Sequence, residues 1–164
     1  MNPDARKDKK KILAVASIGG HWVQLLRITA GLSSDYEVSY VSSNPKWAES
    51  VSGKFYSICE FSRWDAWKMF FCIPYVLMIL LKEKPYVALS TGAAPGLLVL
   101  LLAKYVFRKK TVWVDSIANV AKLSACGRYA VKLGIDKVYT QWEHLAVGKV
   151  KFAGNVLGKL GNVE

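Results

Sequence analysis

The chain has 164 residues, which fits a single domain and is too short for two ordinary lobes. Lysine and arginine number 23 against 12 aspartate and glutamate, so the expected partners are anionic: phosphate, nucleic acid or acidic lipid. A hydrophobic fraction of 52% in so basic a chain favours a membrane surface, and the absence of a recognition motif in the sequence argues against nucleic acid.

The pattern of apolar residues predicts six β-strands that alternate with helices. Such alternation is typical of a Rossmann-like α/β domain, a parallel sheet with helices on both faces. The predicted strands span 12–17, 36–41, 55–58, 86–90, 110–115 and 137–140, and helices are predicted after residue 20, at 64–82 and at 95–107. We expect a basic tail at 1–10, one lobe at 11–156 and a second tail at 157–164.

The first strand ends in a glycine-containing loop. Ser17, Gly19 and Gly20 precede His21, and paired glycines let backbone N–H groups approach an anion at the start of the next helix. A phosphate-binding loop and a plain tight turn are both compatible with this spacing. His21 is a candidate general base, because imidazole exchanges a proton near neutral pH, or else a helix cap or phosphate ligand.

Small residues also follow the fourth predicted strand. Thr91, Gly92, Ala93 and Ala94 lead into a helix that begins near a proline, which suggests a second anion-binding or acceptor loop. The alternative is a helix cap made by Thr91 or the preceding serine.

Polar residues follow the fifth and sixth predicted strands. Asp115, Ser116 and Asn119 are candidates to bind acceptor hydroxyls, with Asp115 either orienting His21 or acting as the base itself. The segment 141–144 is interpreted mainly as a structural edge. The sequence has no Asp-x-Asp pair and no clustered metal ligands, so we expect no cofactor and no protein-held metal.

The segment 69–81 is uncharged and apolar. As a helix it would span only about 20 Å, too short to cross a bilayer. Flanking tryptophans and lysines suggest a helix in the membrane interface, while a buried helix covering the sheet is the alternative. A second apolar stretch at 97–103 precedes a basic cluster at 104–110, for which a buried helix is favoured. The candidate membrane residues are Trp64, Trp67, Phe70, Phe71, Tyr75 and Leu77.

The three cysteines lie far apart in the sequence. Cys59, Cys72 and Cys126 form no C-x-x-C pair, and Cys72 sits inside an apolar run. This spacing indicates neither a zinc site nor a disulfide framework, and it fits a reducing, cytoplasmic setting.

Four motifs in order resemble one known family. The segments Gly19-Gly20-His21, 90–96, 112–116 and 139–143 are similar to the acceptor-side, membrane-associated subunit of two-component UDP-N-acetylglucosamine transferases, with a closer similarity to bacterial exopolysaccharide and capsule proteins. The chain also resembles the N-terminal lobe of the peptidoglycan N-acetylglucosaminyltransferase. The resemblance implies a GT-B N-terminal lobe that binds a polyprenyl-diphosphate acceptor, with the glycine loop and residues 91–94 lining its cleft.

The same resemblance implies the partners and location. The UDP-sugar, a substrate and not a cofactor, would bind mainly to a donor-binding partner subunit, and this chain alone would be nearly inactive in an inverting transfer. It would work at the cytoplasmic face of a membrane. The alternative function is a non-catalytic membrane adaptor that activates a complete glycosyltransferase.

Overall fold

The structure is a computed structural model that describes residues 9–62 and 64–158. Within them, seven strands form one parallel sheet in the order β3-β2-β1-β4-β5-β6-β7. The strands are β1 Lys10–Ala16, β2 Tyr36–Ser42, β3 Phe55–Ser57, β4 Val87–Ser90, β5 Lys110–Val114, β6 Lys137–Thr140 and β7 Val150–Phe152. The helices are α1 Gly20–Thr29, α2 Met69–Glu83, α3 Ala93–Tyr105 and α4 Ala125–Lys132.

The helices cover both faces of the sheet, which confirms the Rossmann-like α/β prediction. β1 shows why, because its alternate side chains point to opposite faces. Leu13 and Val15 join the core under α2 and α3, whereas Ile12, Ala14 and Ala16 join the core under α1. α3 packs against α2 and α4, so these three helices share one face and α1 lies on the other.

The strand order reverses between β1 and β4. From β1 the chain first builds β2 and β3 on one side, and then crosses through α2 to build β4 to β7 on the other side. β1 and β4 lie side by side, with Val15 in register with Ser90. In open parallel sheets, ligands bind beyond the carboxyl ends of the strands at such a reversal.

α2 begins five residues later than the sequence predicts. The Asp65 carboxylate accepts hydrogen bonds from the Ser62 backbone N–H at 2.5 Å and hydroxyl at 2.9 Å, and it pairs with Lys68 at 2.7 Å. These bonds hold residues 64–68 in a turn and a short 3-10 helix, Ala66–Lys68, before α2 starts. Pro74 lies within α2 without ending it.

The domain limits remain predictions. Residues 1–8 of the predicted basic tail and residues 159–164 of the predicted C-terminal tail lie outside the described residues.

A buried carboxylate joins α2 to the edge of the sheet that β2 and β3 form. Glu83 is 2% exposed and accepts hydrogen bonds from Ser39 at 3.1 Å and from Tyr56. Lys11 at 3.7 Å and Lys54 at 3.8 Å supply opposite charge. Burial raises the pKa of Glu83, but the two hydrogen bonds and two lysines outweigh it and lower the pKa overall. Burial and Glu83 together raise the pKa of Tyr56 to about 12.

The expectation about the cysteines is wrong for one pair. The structure joins Cys59 to Cys72 as a disulfide, with their Cα atoms 6.0 Å apart. The loop after β3 folds back against the first turn of α2, so thirteen positions of sequence separation become a side-chain contact. Spacing alone could not indicate this pairing because it depends on how that loop returns.

Candidate functional site

The first strand-end loop places backbone N–H groups at the switch point. Gly19 has φ 74° and ψ −138°, a conformation that favours glycine, and its carbonyl accepts from Trp22 N–H at 3.0 Å as α1 begins. Ser17 is buried directly after β1. A side chain on Gly20 would meet no neighbouring atom within 4 Å, so space is open at the amino end of α1. The first N–H groups of a helix and its dipole together suit an anion there.

His21 and Thr91 bind each other across this point. The His21 Nδ1 atom lies 3.0 Å from the Thr91 carbonyl oxygen, and the Thr91 hydroxyl donates to the His21 carbonyl at 2.7 Å. A carbonyl can only accept, so Nδ1 carries the proton of the bond. In the neutral ring Nε2 is then the nitrogen with the lone pair, which is the form a general base needs.

The loop after β4 closes tightly around the His21 ring. Gly92 has φ 153°, and a Cβ at this position would overlap the ring. Ala93 follows with φ 63°, a left-handed conformation that is rare for a residue with a side chain. Such strain costs about 1–3 kcal/mol and clusters at functional sites. Ala93 and Ala94 are half-buried where α3 begins.

The helix-cap interpretation of this loop is wrong, because Gly92 occupies the N-cap of α3 and no side chain caps this helix. The Ser90 hydroxyl accepts from Gly92 N–H at 3.3 Å, and it packs so closely against Gly96 that a Cβ there would overlap it. The Thr91 hydroxyl instead donates to His21. Thr91 therefore positions His21 and does not cap α3.

Asp115 lies at the carboxyl end of β5 and is 1% exposed. Its Oδ1 accepts from Trp113 Nε1 at 3.2 Å and from the Ser124 hydroxyl at 2.5 Å. Its Oδ2 accepts from Ser124 N–H at 2.8 Å and from Asn119 Nδ2 at 3.4 Å. Four donors on a buried carboxylate are typical of a group that organises a loop. In the described contacts the His21 ring is oriented by Thr91, and Asp115 holds the loop 115–124.

Ser116 and Asn119 stand on this loop, half-buried. The Ser116 hydroxyl accepts from Ala118 N–H at 3.3 Å, and Asn119 N–H donates to the Ser116 carbonyl at 3.0 Å. Both are fixed by local hydrogen bonds beside the β4 loop, since β4 and β5 are neighbouring strands.

Two buried glutamines complete the support of this loop: Gln24, whose role the sequence does not predict, and Gln141, which belongs to the segment 141–144 that is expected to be structural. The Asp115 carbonyl accepts from Gln24 Nε2 at 3.1 Å and from Gln141 Nε2 at 3.0 Å. Gln24 also accepts from Ile117 N–H at 3.2 Å, which ties α1 to the loop. Gln24 is 2% exposed, although helical spacing does not place it with the apolar stripe of Trp22, Leu25 and Leu26, so the sequence carried no signal for its burial.

The segment 141–144 has the structural role that the sequence suggests. Trp142 Nε1 donates to the Ile117 carbonyl at 2.8 Å, and His144 Nε2 lies 2.7 Å from the Val120 carbonyl. Residues after β6 thus bind three carbonyls of the loop after β5. Glu143 begins a short 3-10 helix, Glu143–Leu145.

α2 presents an apolar face to the outside. Its buried residues, such as Val76 and Leu80, point to the sheet, and large apolar side chains recur along the opposite side. Leu77, which the sequence suggests as a membrane-facing residue, is half-buried. The exposed apolar side chains on and just before α2 are Trp64, Trp67, Phe70, Phe71, Tyr75, Met78 and Leu81.

No helix in the described ranges combines the length and apolarity needed to cross a bilayer. Within residues 9–62 and 64–158, no three His, Cys, Asp or Glu side chains gather as metal ligands would. Metal independence of the chemistry remains a prediction.

Comparison with solved structures identifies the fold. MurG of Acinetobacter baumannii superposes with a TM-score of 0.73 at 13% identity, over 89% of this chain and 46% of that one. UDP-N-acetylglucosamine 2-epimerase of Rickettsia bellii superposes with a TM-score of 0.65 at 14% identity, over 91% of this chain and 46% of the epimerase. A glycosyltransferase of Rickettsia africae superposes with a TM-score of 0.63 at 12% identity, over 90% of this chain and 43% of the glycosyltransferase. No protein-family model matches the sequence, and no curated protein matches it.

The chain therefore has the Rossmann-like fold of a GT-B N-terminal lobe. It spans about half the length of the solved structures it matches. Since an epimerase and a glycosyltransferase share this fold, the reaction has to be argued from the site itself.

Proposed function

We propose that this chain is the acceptor-binding lobe of a glycosyltransferase that joins a sugar from a UDP-sugar to a polyprenyl-diphosphate-linked acceptor. The carrying observation is the pair His21 and Thr91, which places a proton-accepting imidazole at the amino end of α1, at the switch point of the sheet. In this proposal the first N–H groups of α1, with Ser17, Gly19 and Gly20, bind the acceptor diphosphate.

The proposed chemistry is an inverting displacement. The acceptor hydroxyl oxygen forms the bond to the anomeric carbon while its proton passes to His21 Nε2, and UDP leaves with the electron pair of the broken bond. Thr91 holds the ring in the reactive tautomer. Asp115 acts through the loop 115–124, on which Ser116 and Asn119 face the acceptor, because its own carboxylate already accepts four hydrogen bonds.

The exposed face of α2 supports a membrane location for the acceptor. The first turn of α2 packs beside the start of α3, since Cys72, Met69 and Ile73 form one cluster with Ala94 and Leu98. The apolar face therefore begins next to the β4 loop of the proposed site. Aromatic residues at its start, among them Trp67 and Phe71, suit the headgroup region of a bilayer.

A second lobe is needed to bind the sugar nucleotide, and we propose that a donor-binding partner subunit supplies it. More than half of the matched MurG and of the matched glycosyltransferase lies outside the region that this chain covers. The alternative adaptor function makes a different prediction, namely that the partner is fully active without this chain.

The test is transfer of radiolabelled sugar from a UDP-sugar to a polyprenyl-diphosphate acceptor by the chain and its partner, reconstituted in membranes. We expect His21→Ala to lower the rate about a hundredfold or more. Arg27→Ala, six residues further along the same helix and exposed, is the matched control and should retain activity. An unchanged rate for His21→Ala would exclude the base, and full activity of the partner alone would favour the adaptor.

A further inference from the structure

A second cleft lies at the amino ends of the strands, whereas His21 lies at their carboxyl ends. It has a volume of about 830 Å³ and lies where β4, β5 and β6 begin. Tyr86 and Thr91 are separated by the length of β4, about 16 Å at the rise of a β-strand. The cleft is therefore separate from the proposed acceptor site.

The lining of this cleft is strongly basic. Five of its residues are cations, against one acid, Asp136. The turn after α3 brings three of them together, because Arg108 adopts φ 53° and Lys109 N–H donates to the Ala103 carbonyl at 2.9 Å. The cations of the lining are Lys104, Arg108, Lys109, Lys110 and Lys137.

The one acid does not balance this charge. The Asp136 carboxylate accepts from Thr111 N–H at 2.9 Å and from its hydroxyl at 2.8 Å, and it pairs with Lys104. Its hydrogen bonds are thus taken up by Thr111 and Lys104, and its single charge, which also attracts Lys110, cannot balance five cations. The remaining cations of the lining face a cleft without another acid among its described residues.

Tyr86 shows how closely the cations approach one another. The Lys10 and Lys110 amines lie 4.5 Å and 4.8 Å from the centre of its ring, and Lys110 also donates to its hydroxyl at 2.8 Å. Two like charges on one aromatic ring are held by cation–π attraction, which offsets part of their repulsion. A bound anion would offset the rest.

We propose that this cleft binds the phosphate of an anionic phospholipid headgroup, at a site distinct from the acceptor diphosphate. The choice of a lipid rests on the proposed function, in which the face of α2 lies on a membrane. α2 runs from the carboxyl ends of the strands, where the proposed acceptor site lies, to their amino ends, where it ends with Lys82 and Lys84. Tyr105, which lines the cleft, and Val106 beside it are exposed, as expected of side chains in the interface.

The experiment measures binding of the full chain to vesicles of phosphatidylcholine with and without phosphatidylglycerol. The cleft variant is Lys109→Glu/Lys137→Glu, and its matched control is Arg27→Glu/Lys46→Glu, which changes net charge equally on exposed residues of the α1 face. We expect the cleft variant to lose at least about tenfold more affinity for phosphatidylglycerol vesicles than the control, with equal binding to phosphatidylcholine alone. Lys109→Gln/Lys137→Gln repeats the test if the first variant does not fold.

Three outcomes would overturn the proposal. Equal losses in both double variants would mean that net charge alone matters. Calorimetric binding of inorganic pyrophosphate that the cleft variant loses, with vesicle binding unchanged, would assign the cleft to a soluble anion. Loss of tight, salt-sensitive duplex DNA binding in the cleft variant, with vesicle binding unchanged, would assign it to nucleic acid.

Failure of this proposal is distinguishable from failure of the membrane face on α2. The difference in affinity between the two vesicle types tests the cleft, whereas affinity for vesicles of phosphatidylcholine alone tests the α2 face. A loss specific to phosphatidylglycerol would support the cleft even if variants of the α2 face bound normally.

Discussion

Gly92 and His21 fit each other so closely that the ring occupies the space of a β-carbon at residue 92. His21 lies in the first turn of α1, after β1, and Gly92 lies in the loop after β4, 71 positions later in the chain. Their contact fixes the imidazole from one side while Thr91 fixes it through Nδ1.

Gly92→Ala should therefore disable the site. The added methyl group must displace the ring, and φ 153° is unfavourable for alanine, so we expect a loss of about 1–3 kcal/mol in unfolding free energy and a large fall in transfer rate. Gly31→Ala, where a Cβ meets nothing within 4 Å, is the control for stability and activity. Transfer assays and urea denaturation measure both effects, and a fully active Gly92→Ala protein would contradict the arrangement.

Asp115→Asn separates a positioning role from a catalytic one. An amide NH₂ at this position would face donors from Trp113, Ser124 or Asn119, so we expect a loss of about 1–3 kcal/mol in stability together with reduced activity. Ser124→Ala removes one of these donors and also the side-chain cap of α4, since the Ser124 hydroxyl accepts from Gly127 N–H, so it should lower stability by about 0.5–2 kcal/mol with a smaller loss of activity. Reduced activity of Asp115→Asn at unchanged stability would indicate that Asp115 itself is the base.

Much of this fold follows from periodicity, while the contacts that define the site do not. Six strands were predictable as short apolar runs, several of which are bounded by Gly, Pro, Asn or Ser. β7 was missed because it has three residues, and α4 because it is short, basic and contains Gly127. Topology places the loops after β1 and β4 together, which makes the proximity of His21 and Thr91 predictable. The four donors to Asp115 were not predictable, because they depend on the path of one irregular loop.

The exposed apolar face of α2 predicts binding to neutral membranes. Phe70 and Phe71 are 68% and 72% exposed, so Phe70→Ser/Phe71→Ser should not disturb the core. Each phenylalanine buried in lipid contributes about 1.5–3 kcal/mol, so affinity for phosphatidylcholine vesicles should fall at least tenfold. Val23→Ser, at an exposed apolar residue of α1, should change nothing. Equal sedimentation of both variants with the vesicles would exclude the exposed face of α2 as a membrane-binding surface.

Glu83 predicts a specific dependence of stability on pH. Because the folded-state pKa lies below the ordinary value of 4.5, the stabilisation is present above that value and is lost as pH falls through the lowered pKa. Glu83→Gln should reduce unfolding free energy by about 1–3 kcal/mol at pH 7, and the difference should shrink in more acidic solution.

The control for this measurement is Glu37→Gln. Glu37 pairs with the same Lys11 and Lys54, but its side chain is 43% exposed, so its substitution should lower the unfolding free energy by at most about 1 kcal/mol. Urea denaturation of both variants at pH 7 and at pH 3 gives the comparison. A difference for Glu83→Gln that stays constant with pH would show that the carboxylate charge is not what stabilises α2.

The start of α2 beside the β4 loop has a consequence for how the proposed substrate arrives. If the acceptor's prenyl chain stays among the lipid tails next to this helix, its diphosphate reaches the amino end of α1 without the lipid being extracted from the bilayer. Encounter between enzyme and acceptor then becomes lateral diffusion in a plane, and its rate depends on the surface density of the acceptor and not on its bulk concentration.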